Sequence, residues 1–280
     1  MLNYINIARR NLNLGRSSSF MKLTLLIVIL LAYEFASAQE IDKPLSDFDK
    51  VKVSSHIKVV LTKGEQENLR LEYSGVTAKE LNYKVEGSTL KIYLTGAELV
   101  DKYVTIRNGN QNHKESYYKN ARVTAFITYK ELKSLELRGG EGAVCESPLS
   151  AKKFTLKLYG ENEVNLADLH TKKLRGSFYG ENRLKINSGS AVHQKFNLFG
   201  ENYIQTQNLS SETINVTYFG ASKMALKADD KIFVKGIGEL DLAYSGNTSF
   251  KRWAIGSAII NGQANERASK KLITVHSMEF

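Results

Sequence analysis

The chain of 280 residues is 42% hydrophobic, with 20 glycines and only 2 prolines, a balance that excludes a disordered or collagen-like chain and fits one or two folded domains. A formal charge of +10 favours polyanionic surfaces in general, but no basic cluster interleaves with aromatics as in a nucleic-acid binder. Cys145 is the only cysteine, so no internal disulfide can form, and five scattered histidines offer it no activating base; it reads as a buried spectator.

In chain order, Lys22 precedes an apolar run, Leu23 to Ala32, which leads to Ala36-Ser37-Ala38. Such a run is too short for a stable membrane anchor and has the three parts of a secretory signal, so residues 1–38 are expected to be removed after Ala38, with Met21 as the alternative true start. Removal takes four positive charges (Arg9, Arg10, Arg16, Lys22) and one negative (Glu34), turning +10 into +7. No cysteine stands at the cleavage point to carry a lipid, and no later stretch is apolar enough to span a bilayer. The mature protein is therefore expected in the periplasm, at the outer surface or secreted, and not as an integral membrane protein. No barrel-forming translocator follows residue 280, so self-export by that route is not expected.

Residues 45–100 alternate apolar and polar residues (Phe48, Val51, Val53; Ile57, Val59, Leu61; Leu90, Ile92, Leu94) and predict strands that either cap a larger fold or form its opening coils. Residues 101–125 read as a polar insertion. Within it Arg107–Asn120 lacks apolar periodicity, and His113, Tyr117 and Tyr118 there are candidate sugar contacts, a mobile loop being the alternative.

From 126 to 262 the chain repeats itself, and 263–280 is left as a C-terminal cap or tail. Tyr159-Gly160-Glu161-Asn162 recurs as Tyr179-Gly180-Glu181-Asn182 and Phe199-Gly200-Glu201-Asn202, and survives as Phe219-Gly220. Around each copy the alternation has the period of a strand, and a fixed period marks one unit stacked on itself. The expected fold is all-β, a right-handed parallel β-helix-like solenoid with rungs of about 20 residues, which as extended chain measure roughly 66 Å around and would stack about 4.8 Å apart. Leucine-rich repeats would need a helix pattern after each strand, propeller blades about twice the period, and an immunoglobulin-like sandwich would not repeat its turn. Upstream, Gly139-Gly140-Glu141 fits as a copy with one residue inserted. Downstream the interval is expected to shorten to 16, with Gly236 in the glycine position.

The repeated turn has a physical reading. Gly160, Gly180, Gly200 and Gly220 supply a corner where only glycine takes positive φ freely. Asn162, Asn182 and Asn202 suit the left-handed region and an amide ladder. Tyr159, Tyr179, Phe199 and Phe219 form an aromatic column, and Glu161, Glu181 and Glu201 either splay toward lysines or hold a divalent cation such as Ca²⁺; both columns are candidate ligand contacts. No other cofactor is indicated.

The segments FDKVKVSSHIKVVLTKGEQENLRLEYSG (48–75), LNYKVEGSTLKIYL (81–94) and FITYKELKSLELRGGEGAV (126–144), the turn Phe219-Gly220-Ala221-Ser222-Lys223 and the closing DLAYSGN (241–247) together resemble the family called putative auto-transporter adhesin, head GIN domain. The resemblance spans roughly 45–262 and implies an exported bacterial β-solenoid without catalytic residues. Gly-Glu-Asn replaces that family's usual Gly-Ser-Gly or Gly-Ala-Ser, which makes the turn column more acidic, and the 107–120 stretch is longer. The function expected is a non-enzymatic, adhesin-like or envelope-associated protein that binds a glycan or another cell-surface polymer. The alternatives are a purely structural envelope protein and a β-helix enzyme acting on polysaccharide, for which Asp229, Asp230, Glu239 and Asp241 are the available carboxylates.

Overall fold

A computed structural model describes residues 39–108 and 111–264; the expected signal segment and the tail from 265 lie outside the described residues. Every regular element among them is a β-strand. The core of the fold is a stack of coils, each with two limbs that meet at a glycine corner.

The N-terminal region supplies both opening coils and a cap. Strand β1 (Gln39–Pro44) precedes the region where strands are expected and is exposed along most of its length, while β2 (Lys50–Val53), β3 (Ile57–Lys63), β4 (Asn68–Ser74), β5 (Leu81–Glu86) and β6 (Thr89–Leu94) follow the expected alternation. Two strands then leave the stack as a hairpin, β7 (Tyr103–Asn108) and β8 (Gln111–Ser116), before β9 (Arg122–Tyr129) returns to it. β2 pairs in parallel with β6, and β3 with β9, so 50–63 form one coil and 89–129 another, with the hairpin inserted between the latter's limbs. β5, β4 and β1 pair antiparallel at the outside, on β6, β9 and β4 respectively, and close this end.

The regular coils start with β10 (Ser134–Gly139) and β11 (Ala143–Cys145), which lie in parallel on β2 and β3. β12 (Leu149–Gly160) and β13 (Glu163–Leu166) form the next coil. In β14 (Leu169–Ile186), β15 (Gly189–Gln205), β16 (Thr213–Lys227) and β17 (Lys231–Gly246) one strand runs through both limbs, and β18 (Ser249–Ile255) and β19 (Ala258–Ala264) form the last described coil. Each coil pairs with the next in parallel register, so equivalent side chains stand in columns. Parallel neighbours leave no room for slippage where one face is buried, because a one-residue shift would turn every core side chain to solvent.

Gly139, Gly160, Gly180, Gly200, Gly220, Gly238 and Gly256 occupy the corner with φ between +98° and +124°. A Cβ at Gly200 would come 2.5 Å from the carbonyl oxygen of Gly180 below it, so close stacking and positive φ both select glycine. The downstream copies differ from expectation. Gly238, not Gly236, pairs with Gly220, while Gly236 lies under Tyr218, where a side chain would collide with the ring. The interval is therefore 18 residues, because the connection from the second limb of one coil to the first limb of the next is two residues shorter while the register runs unbroken through the corner.

The inward columns make one continuous core. Leu156, Gly176, Phe196, Val216 and Val234 form one file, and Leu158, Phe178, Leu198, Tyr218 and Gly236 the neighbouring one. Large and small residues compensate between files: a Cβ at Gly176 would lie 2.5 Å from Cδ1 of Phe196, whose ring fills the space that glycine leaves. Cys145 is buried against Tyr129, with 3.4 Å between sulfur and hydroxyl, and burial pushes both groups above their ordinary pKa.

Candidate functional site

The corner divides the outer surface into two strips. On the first limb, the residue before each glycine faces out, and Tyr159, Tyr179, Phe199, Phe219, Ile237 and Ile255 form a single file. The four rings stack with centroids 5.2, 4.9 and 5.4 Å apart and planes within 6° of parallel. Parallel rings at that spacing must overlap, so each covers part of its neighbour's face and the file shows mainly ring edges to solvent. The Arg138 guanidinium lies 4.4 Å from the centroid of Tyr159 and closes one end. At the other end Trp253 and Ile255 are 68% and 63% exposed.

On the second limb, Glu161, Glu181 and Glu201 stand in a file, all exposed, and none makes an ion pair among the described residues. Nor do three His, Cys, Asp or Glu side chains gather closely enough for a metal among the described residues. The asparagines depart from expectation: His56 is the sole non-glycine residue with positive φ among those described, so Asn162, Asn182 and Asn202 are not left-handed. They point into the core instead. Asn162 Nδ2 donates to Asn182 Oδ1 at 3.1 Å and to the Tyr159 carbonyl at 3.1 Å, giving one step of the ladder. The ladder stops there, and the Asn202 amide makes no hydrogen bond among the described residues; its neighbour on the following coil is the shorter Ser222.

Outside this buried file a cleft of about 450 Å³ crosses several coils. Arg183, Glu201, Tyr203, Lys223, Glu239 and Asp241 line it, with Lys223 Nζ 3.0 Å from Asp241 Oδ2. The sequence does not announce this grouping, because its members come from different coils and only the register assembles them.

The polar insertion is the β7–β8 hairpin with a turn behind it, not an unstructured loop. Val104 and Ile106 put two apolar residues on one face of β7, but the partner strand is polar on both faces and hides the signal. His113 and Tyr117 are exposed, and the Lys102 ammonium sits 3.9 Å over the Tyr117 ring. Tyr118 is not available to a ligand: it is buried, with its hydroxyl donating to the Thr95 carbonyl at 2.8 Å. His56 ties the hairpin base to the corner, its Nε2 lying 3.0 Å from Asp101 and 3.1 Å from Ser116 Oγ.

One carboxylate is held firmly. Glu136 stands between Lys52 and Lys157 in the column two residues before the aromatic file, 3.3 and 3.8 Å from their ammonium groups, and accepts from Arg138 at 2.7 Å. Burial pushes its pKa up, but the Arg138 hydrogen bonds and the charges of Lys52 and Arg138 outweigh this and hold it below the ordinary carboxylate range. A depressed folded pKa stabilises the protein above the unfolded value of about 4.3, and that contribution disappears as pH falls through the folded value. Glu136→Gln is expected to cost about 1–3 kcal/mol at neutral pH. Urea unfolding should show the difference from wild type shrinking well below about pH 4, and an equal difference at all pH values would contradict the assignment.

A family model described as putative auto-transporter adhesin, head GIN domain, matches residues 47–248. The chain belongs to that family. The head GIN domain thus takes in the opening coils, the hairpin, the glycine corner and the coils up to the β17–β18 turn. No curated protein matches the chain. Among solved structures, it is similar to a putative adhesin from Bacteroides fragilis, at 17% identity and a TM-score of 0.65 over 81% of this chain and 98% of that one. A putative adhesin from Parabacteroides merdae aligns at 16% and 0.59, over 82% and 97%. A putative lipid binding protein from Parabacteroides distasonis aligns at 16% and 0.59, over 82% and 98%. At such identities these likenesses establish the shared solenoid fold and nothing about ligands.

Proposed function

We propose that this head GIN domain protein is an exported, non-enzymatic, adhesin-like protein that binds a cell-surface polymer, a glycan foremost, on the outward face of its solenoid. The reading rests on the columns: successive coils present equivalent side chains side by side in register, a surface that repeats as a polymer repeats. The membership in an adhesin family and the adhesin descriptions of similar folds support it. No helix among the described residues is long and apolar enough to cross a membrane. Export is read from the signal-like segment at 1–38. The candidate contacts are the first-limb face with the exposed edges of Tyr159, Tyr179, Phe199 and Phe219, together with Tyr117 and His113 on the hairpin.

The test is retention of the full chain on an array of bacterial and host polysaccharides, neutral and charged. Binding to at least one polymer is expected. Retention on none of them would overturn the reading in favour of a purely structural envelope role. Release of reducing or unsaturated sugar during the assay would instead assign catalysis to the carboxylate-lined cleft.

A further inference from the structure

The lysines that look scattered along the chain are gathered by the fold. On the first limb, between the start of each strand and its corner glycine, the segments 149–160, 169–180, 189–200, 213–220, 231–238 and 249–255 contain no Asp or Glu. Of the eleven Lys and Arg in them, eight face outward in three columns, and Lys152 and Lys172 are exposed next to Lys153 and Lys173. One column carries Lys153, Lys173 and Lys231; the next carries Arg175, Lys195 and Lys251; the third carries Lys157 and Lys235. Across the corner, the second limb carries Glu161, Glu181, Glu201 and Glu239, so the glycine file is also the border between a basic face and an acidic edge.

Like charges directly opposite on neighbouring strands are destabilising, and sheets ordinarily interleave signs. The N-terminal end of this same face follows that rule, since Glu136 sits between Lys52 and Lys157 and pairs with both. The rule is then abandoned. Lys153 lies directly beside Lys173, and Arg175 beside Lys195, and none of the four has an ion-pair partner among the described residues. A run of unneutralised cations on a flat, rigid sheet is a counter-surface for negative charge supplied from outside.

We infer that the first-limb face docks a linear anionic polysaccharide, one bearing carboxylate or sulfate groups, laid along the coil axis beside the aromatic file. The inference rests on the polymer-binding reading above and adds the charge of the polymer to it. Coils spaced by about 4.8 Å offer ammonium and guanidinium groups at intervals comparable with the charges along such a chain, whereas a bilayer presents no preferred direction. The stacked rings border the basic columns with a stiff apolar ridge, and their covered faces leave the lysines as the principal contacts.

The experiment measures binding of the full chain to polygalacturonate, heparin and neutral dextran, and to vesicles of phosphatidylglycerol, at low and raised salt. The variant replaces Lys153, Lys173, Arg175 and Lys195 by Gln, and a control carries Lys185→Gln and Lys227→Gln on the second limb, outside the cleft. Binding to the anionic polysaccharides, weakened at least about tenfold in the four-site variant and by raised salt but not in the control, is the expected result. The variant should melt at or above the wild-type temperature, because repulsion on the face is relieved, which separates lost contacts from lost fold. Equal affinity for dextran, or full binding by the variant, would overturn the anionic inference and leave polymer binding standing. Capture by vesicles with no affinity for either anionic polysaccharide would overturn it in favour of a membrane surface. Failure with every probe would overturn the anionic inference, and the polymer-binding reading falls with it only if the wider array also retains nothing.

Discussion

Gly200→Ala is expected to unfold well before the wild-type protein. Its φ of +98° lies where side chains are strained by about 1–3 kcal/mol, and the added Cβ would press 2.5 Å from the Gly180 carbonyl oxygen. That oxygen belongs to a strand locked in the ladder and cannot retreat as a flexible side chain would, so overpacking adds about 1–3 kcal/mol more. A loss of about 4 kcal/mol translates into about 10 °C in a domain of this size. Gly140→Ala is the matched control. It adjoins the corner without a positive φ, its Cβ would find the nearest atom at 3.6 Å, and the variant should melt within a degree or two of wild type. Circular dichroism melts of both variants decide the matter, and equal midpoints would deny the corner its steric role.

The second large effect is at Phe178. Its side chain is fully buried, its ring centroid lies 6.1 Å from that of Phe196, and Gly176 beside them has no side chain with which to fill a hole. Phe178→Ala is therefore expected to cost about 3–5 kcal/mol in urea unfolding. Tyr179→Ala, one residue along, removes an outward ring that is 40% exposed and stacked on both sides, and should cost about 1 kcal/mol. The reverse ranking would mean that the strand presents its other face to the core.

Most of the architecture was legible because the signals were local and repeated. Alternation in Phe154–Leu158 and its copies gives the strands, and the recurring Gly-Glu-Asn gives the corner. What escaped depends on pairing. Gly236 and Gly238 are two residues apart in a strand of period two, so both fit the inward or outward pattern, and only the partners Tyr218 and Gly220 distinguish core filler from corner. The asparagines suit a left-handed turn by type, yet the preceding glycine already takes the positive φ, which frees Asn162 and Asn182 for the interior. The hairpin was hidden because β8, QNHKES, has no apolar face. The basic face was missed for a different reason: charge counted along a chain averages two limbs that the corner turns to different sides, so Lys173 and Glu181 cancel in sequence while standing on opposite sides of the corner in space.

The strict register also bears on how such a protein varies in length. Between Gly160 and Gly220 each coil touches only the coil before and the coil after, and every junction has the same parallel pairing. Excising residues 181–200 would join Gly180 to Glu201 with every column still aligned, whereas losing ten residues would sever them all. Insertions and deletions among these coils should therefore come in whole coils, so the length of the columned surface becomes a quantity that duplication can adjust without redesigning the core.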